Sequence, residues 1–346
     1  MSGAILTLAI PTYRRRETVL RSVDAASSLL RGLPVIILVA DNASDDGTAA
    51  ALLGREAHPE GPRLDIIVGE RNTGVLGNFL RLVDHCTTDY LLLLSDEDEP
   101  AGRDVIVQLL ERLEHEAPDV LVASPGVLGP EERRSDDIAP EDFWDALNLL
   151  SGPVYRTETL RRSADAVRAL ATVAPIDGIW NLWPFYLVAV DTRIAGGICR
   201  WHPERLAVQR EDLPTVVEDA LFPTTTTTPP PGATGRSADP RRARYKTLEA
   251  RLVQSEALAH YLVAREHDAA RPLDTAGHRV LAEFRRISAA RLFPTVAKRI
   301  RDDHPLLADA FVKGAREAYG SRALLRDLIA PLRGRGLRSV WRRSTR

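Results

Sequence analysis

From Ile5 to about Ser124 the chain alternates short runs that are apolar at nearly every position with longer amphipathic stretches: ILTLAI, then 14–31, VIILVA, 45–57, LDIIV, 73–86, YLLLLS, 102–116 and DVLVAS. A strand wetted on one face alternates apolar with polar residues, whereas a strand without that alternation is buried on both faces. Such strands joined by helical segments fold as an α/β domain, a Rossmann-like, mainly parallel sheet with helices on both faces. Ligands of open parallel sheets lie beyond the carboxyl ends of the strands, so the residues directly after each apolar run are where function is expected.

The rest of the chain is less regular. Residues 1–125 form the first half of the expected α/β domain and 126–222 the second, in which SGPVYR reads as a strand, 157–173 as a helix and IDGIWNLWPFY as an aromatic-rich patch. Residues 223–240, PTTTTTPPPGATGRSADP, carry no packing side chains and read as a loop or linker, and 241–346 form a basic, mostly helical C-terminal region. That last segment has 24 Lys and Arg against 11 Asp and Glu, a net +13, which leaves 22 against 37, a net −15, for residues 1–240. Opposite charges in the two parts imply either that the basic segment docks on the acidic one or that it meets an anionic surface such as phospholipid.

With 44% hydrophobic and 27% charged residues, the 346-residue chain has the balance of a globular protein with room for two cores. Cys86 and Cys199 are too few for a disulfide framework or a zinc cluster. MSGAILTLAI lacks a basic leader and reads as a strand rather than a secretion signal, and no apolar stretch approaches the roughly 18 residues of a membrane span. A cytoplasmic location is expected, possible contact of the C-terminal tail with the inner face of the membrane included, and no nucleic-acid partner. The tail, LRGRGLRSVWRRSTR, sets six arginines around Trp341, a pattern suited to anionic headgroups.

Four strand ends carry polar clusters: Pro11-Thr12-Tyr13, then Asp41-Asn42-Ala43-Ser44-Asp45-Asp46-Gly47-Thr48, then Glu70-Arg71-Asn72-Thr73-Gly74, and Ser95-Asp96-Glu97-Asp98. The second reads equally as a helix start with Ser44 or Asp45 as N-cap, and the third as a capped helix whose glycines permit close packing. The fourth is harder to explain by capping alone. Three consecutive carboxylates after a buried strand repel one another, and a cation accounts for them, since Mg²⁺ or Mn²⁺ takes carboxylate oxygens while substrate phosphates complete its shell.

The order IPTYRR, VADNASDDGT, ERNTGVLGNF, DYLLLLSDED resembles the family 2 glycosyltransferases, whose fold is of the GT-A type, over about residues 4–124. The resemblance implies that Pro11, Thr12 and Tyr13 line the nucleotide base and that Asp41 accepts a hydrogen bond from it. It implies also that Arg71 and Asn72 stand near the nucleoside, that Asp96 touches ribose and metal, and that Asp98 ligates the Mg²⁺ or Mn²⁺ bridging the diphosphate. Two positions depart from the family pattern: Glu97 at the centre of the acidic motif, and Arg14-Arg15 where Asn-Arg or Asn-Glu is common. The implied reaction moves a sugar from a UDP-, dTDP- or GDP-linked donor to a hydroxyl-bearing acceptor with inversion, which needs a carboxylate base. Asp177, in PIDGIWNLW beside Trp180 and Trp183, is the first candidate, and Glu218 and Asp219 in VVEDALF are the alternatives. Asp177-Gly178 reads equally as a turn, and Gly152 of SGPVYR as either a ligand approach or a strand bulge. Competing readings are a catalytically silent nucleotide-sugar-binding subunit and a sugar nucleotidyltransferase. The latter calls for a glycine-rich phosphate loop after the first strand, where this chain has PTYRRRE.

Overall fold

In a computed structural model, the residues described are 3–55, 61–123, 136–143, 147, 150–173, 184–209 and 261–286. The chain divides into two compact units, Met1–Thr227 and Thr228–Arg346. In the first, β1 (Leu6–Thr12), α1 (Arg16–Leu29), β2 (Val35–Asp41), α2 (Thr48–Leu53), β3 (Arg63–Val68), α3 (Gly74–His85), β4 (Tyr90–Leu93), β5 (Asp98–Pro100), α4 (Arg103–Glu116) and β6 (Val120–Ala123) follow the expected alternation. Then come β7 (Val154–Arg156), α5 (Thr157–Val173), α6 (Pro184–Ile194), β8 (Cys199–His202) and β9 (Ala207–Gln209).

Seven strands form one sheet in the order β3-β2-β1-β4-β7-β6-β8. Every pairing in it is parallel except the two made by β7. The chain runs outward through β1, β2 and β3 and then returns across the sheet to β4, so the crevice opens where the strand order reverses, between the ends of β1 and β4. Register brings the motif-bearing ends level: Thr12 pairs with Asp41, and Asp41 with Val68.

One face of the sheet, carrying Leu6, Leu8, Ile10, Val35, Ile37, Val39 and Leu92, packs on Val19, Val23 and Ala26 of α1 and Ile106, Leu109 and Leu113 of α4. The crossover from β3 to β4 runs the other way, so α3 covers the opposite face with Phe79, Leu82 and Val83. Both faces being dry along β1, β2 and β4, these strands have no polar alternation; Thr7, inside β1, shares a 2.7 Å hydrogen bond with Thr88.

Two elements leave no clear periodic signature in sequence. Helix α6 begins inside the aromatic stretch and buries five consecutive residues, Tyr186–Val190, so it shows no polar stripe. Strand β8 is short and closes the far edge of the sheet. A two-stranded ribbon also stands apart from the main sheet, β5 with β9, pairing Asp98 with Gln209 and Pro100 with Ala207. In the second unit, helical residues 261–266 and 275–286 bury Tyr261, Leu262, Leu281 and Phe284, and Arg285 bonds Glu266 at 2.5 Å. Among the described residues no helix is long and apolar enough to cross a membrane.

Asn78 shows how α3 holds the crevice together. Its amide nitrogen donates to the Ala40 carbonyl at 2.8 Å and to the Thr12 carbonyl at 3.5 Å, while its oxygen accepts from Arg81 at 2.7 Å. Asn78→Ala would leave the Ala40 carbonyl without this donor inside a dry sheet edge, an expected loss of about 1–3 kcal/mol. Urea unfolding should show a lower midpoint with an unchanged m value.

Candidate active site

The turn from β1 to α1 sends neighbouring arginines in opposite directions. Arg14 has φ +53°, a left-handed backbone that costs free energy for a side-chain-bearing residue. Its guanidinium stacks 5.1 Å from the Tyr13 ring and forks onto Asp45 through two 2.7 Å bonds, and its backbone N–H donates to Ser44 at 2.7 Å. The adjoining Arg16 N–H reaches Asp46 at 3.3 Å, so the loops after β1 and β2 are latched together. Arg15 turns inward instead. It reaches Asp96 at 3.0 Å and Glu97 at 2.5 Å, while the Thr12 hydroxyl donates to the other Asp96 oxygen at 2.6 Å.

Around the end of β2 the polar residues knit the second and third clusters into one network. Asn42, buried, donates to Asn72 at 2.7 Å and to the Gly74 carbonyl at 3.2 Å. Its oxygen accepts from the Thr73 N–H at 3.0 Å and the Thr73 hydroxyl at 3.1 Å. A β-carbon at Gly77 would lie 2.3 Å from that hydroxyl, which is why the first turn of α3 carries a glycine there. Asp41 is wholly buried, and both its oxygens accept bonds from Ser44. Asp41 thereby braces its own loop.

Asp98 is the carboxylate with most coordinating capacity to spare. Its backbone is fixed in β5, with its carbonyl accepting from Ser22 of α1 at 2.8 Å and its N–H bonded to the Ser95 carbonyl at 3.1 Å. The Ser151 hydroxyl donates to Oδ2, and the same hydroxyl accepts the Ser95 N–H at 2.7 Å. Ser151 is placed by Gly152, whose φ of +108° a side chain rarely adopts and whose N–H bonds the Leu93 carbonyl at 2.9 Å. Among the described residues no cation pairs with Asp98. Burial, opposed by the Ser151 bond and reinforced by the neighbouring Asp96 charge, pushes its carboxyl above the ordinary aspartate value of 3.8.

The structure thus brings Pro11, Thr12, Tyr13, Asp41, Asn72, Asp96 and Asp98 to strand ends at one edge of the sheet, with Arg71 exposed beside them. The candidate bases Asp177, Glu218 and Asp219 lie outside the described residues. Residues 7–146 match the sequence profile of the family described as glycosyl transferase family 2. This segment is a family 2 glycosyltransferase domain.

The fold of the glycosyltransferase domain agrees with solved structures of the GT-A type. A mannosyltransferase from Pyrobaculum calidifontis, in complex with GDP-Man and Mn²⁺, superposes with a TM-score of 0.51 at 14% identity over 99% of this chain and 88% of its own. TarS from S. aureus, in complex with UDP-GlcNAc, gives 0.52 at 12% identity over 95% and 88%. At these identities the likeness is one of fold. No curated protein sequence matches the chain.

Three residues central to the geometry were not expected from sequence: Arg15, Asn42 and Ser151. Ser151 adjoins the flagged Gly152, and that adjacency is the one local signal that pointed to it. Whether the domain can hold a divalent ion turns on its oxygens. Among the described residues no group of three His, Cys, Asp or Glu side chains gathers as a protein-only metal cage. One or two carboxylates suffice where substrate phosphates supply the other ligands, and Asp98, desolvated beside Asp96 and lacking a described cation, fits that role.

Because its raised carboxyl makes ionisation of Asp98 oppose folding, Asp98→Asn is expected to stabilise the metal-free protein at neutral pH. The advantage should shrink as pH falls from the raised native value through 3.8, and vanish below it, where the parent carboxyl is protonated in both states. Thermal melting of parent and variant across that range checks both the sign and the window.

Proposed function

We propose that the domain is a metal-dependent, inverting glycosyltransferase that moves a sugar from a nucleotide-linked donor to an acceptor hydroxyl. The observation that carries this reading is the half-buried Asp98 carboxylate at the crevice edge, bonded by Ser151, with its backbone carbonyl held by Ser22 and no cation among the described residues beside it. Residues 1–125 take the donor and 126–222 the acceptor, joined through 223–240 to the basic region 241–346. Tyr13, with Pro11 and Thr12, flanks the base, its ring backed on one side by Arg14. Arg71 and Asn72 stand beside the nucleoside, Asp41 accepts a hydrogen bond from the base, and Asp96, held by Thr12 and Arg15, faces the ribose. Asp98, with Asp96 as its neighbour, would hold Mg²⁺ or Mn²⁺.

When bound, the ion offsets the negative charge that develops on the departing diphosphate. The chain supplies orientation: the Asp98 backbone is paired with β9, its carbonyl accepts from Ser22, and its side chain is bonded to Ser151. The acceptor hydroxyl must lose its proton as it attacks opposite the diphosphate, and Asp177, or Glu218 or Asp219, is the carboxylate assigned to receive it. The net +13 of residues 241–346 supports work at an anionic surface on the inner face of the membrane, where a lipid-linked acceptor would be presented.

Thermal melting with UDP-, dTDP- and GDP-sugars, each with and without Mn²⁺, should single out one nucleotide whose stabilisation requires the ion. With that donor and an acceptor, Asp98→Asn is expected to lower turnover by about 100-fold or more. Full turnover in the variant, or the absence of any sugar-nucleotide binding by the parent, would overturn the reading. Binding without turnover in the presence of acceptors would identify a silent subunit.

A further inference from the structure

Of the three non-glycine residues with a left-handed backbone among the described residues, two flank one contact: Arg14 at φ +53° in the loop after β1 and Ala43 at φ +62° in the loop after β2. Glycine or asparagine adopts that conformation with far less strain than arginine. What the chain gains from arginine lies in its side chain. Nε and Nη2 each donate to one Asp45 oxygen at 2.7 Å, and the guanidinium lies 5.1 Å from the centroid of the Tyr13 ring. The fork is exposed, Arg14 at 42% and Asp45 at 68%, so water screens it and it contributes little to folding stability. A strained backbone kept for an exposed ion pair is therefore not explained by the stability of the fold, and strain of this kind collects where a ligand is positioned.

The pair reaches Asp41 through one residue. The Ser44 hydroxyl accepts the Arg14 N–H at 2.7 Å and donates to Asp41, while the Ser44 N–H donates to the second Asp41 oxygen at 3.1 Å. The fork, closing 31 residues of sequence, thus holds two surfaces together: the Tyr13 ring and the Asp41 carboxylate. We infer that the Arg14–Asp45 pair is a positioning latch that sets the nucleobase pocket before the donor arrives, fixing Tyr13 and Asp41 in the mutual orientation required by a base with an in-plane N–H. This rests on the transferase reading, in which those two residues meet the base. A pocket ordered in advance saves the entropy of ordering two loops on binding, so the latch acts on donor affinity and on discrimination among bases rather than on the bond-breaking step.

The test is calorimetric titration of UDP, dTDP and GDP into the full chain with Mn²⁺, beside thermal melting. Arg14→Asn removes the fork while suiting the left-handed backbone, and Asp45→Asn removes the carboxylate partner without changing the residue at either strained position. For the nucleotide that the parent prefers, each variant is expected to weaken binding about five- to tenfold and to narrow the gap to the other two. Arg14→Asn should melt no lower than the parent. The double variant should bind no more weakly than either single one, because the two side chains form one latch. In turnover the loss should fall on donor KM, with kcat within about twofold of the parent. A merely structural pair would instead lose melting temperature and affinity together in Arg14→Asn. That result overturns the inference, as does parent-like affinity in both variants or losses that add in the double variant; each leaves the transferase reading intact, because the parent still binds nucleotide. A parent that binds none of the three, with or without Mn²⁺, overturns both. Should Arg14→Asn not fold, Asp45→Asn and its split between KM and kcat decide alone.

Discussion

The Thr12 hydroxyl donating to Asp96 at 2.6 Å joins the ends of two central strands across 84 residues of sequence, and the remaining geometry of the crevice is arranged around that bond. Strands β1 and β4 are neighbours only because the chain reverses its direction across the sheet after β3. The reversal opens the crevice, the bond defines its floor, and Arg15 completes the hold on Asp96 from the adjoining turn. With Asp96 immobile, the backbone leads directly into β5, and Asp98 is presented from a paired strand instead of a free loop. A carboxylate presented in this way keeps its position without spending binding energy on ordering a loop.

The same arrangement carries a cost in the free protein. Burial raises the carboxyls of Asp41, Asp96, Glu97 and Asp98 above their ordinary values, each for desolvation first. Arg15 already meets Asp96 and Glu97 and Ser44 already bonds Asp41, so of the four it is Asp98, bonded by the neutral Ser151 hydroxyl, that has no cation among the described residues. Functional sites are where such local conflict persists, because the surrounding core over-determines the geometry. Here the core is the layer of Leu, Ile and Val shared by β1, β2, α1 and α4, which is dry and leaves the polar groups no alternative but the edge.

Much of this was legible in the residues. The strand positions follow from the lack of polar alternation in ILTLAI, VIILVA and YLLLL, and the observed strands begin or end within a residue or two of those runs. The four polar clusters were legible as edge residues because a parallel sheet covered on both sides exposes little else. The partners of those residues were less so. Asn42 and Asn78 read as ordinary polar residues of a turn and a helix, yet each bonds segments some 30 to 66 residues away. Helix α6 escaped the periodicity argument because residues 186–192 are all buried, and residues 126–222 carry no repeated sequence pattern that would substitute for it.

The sequence by itself determined the alternation of elements, the sidedness of the polar clusters and the membership of residues 7–146 in a glycosyltransferase family. These depend on periodicity and local order, which neighbours in the chain specify. Tertiary structure alone decided which carboxylate is committed and which is available: Asp96 is claimed by Thr12 and Arg15, whereas Asp98 is left to Ser151. Two aspartates two positions apart are chemically alike, and only the groups that folding brings to each, from 53 to 84 positions away, give them different surroundings.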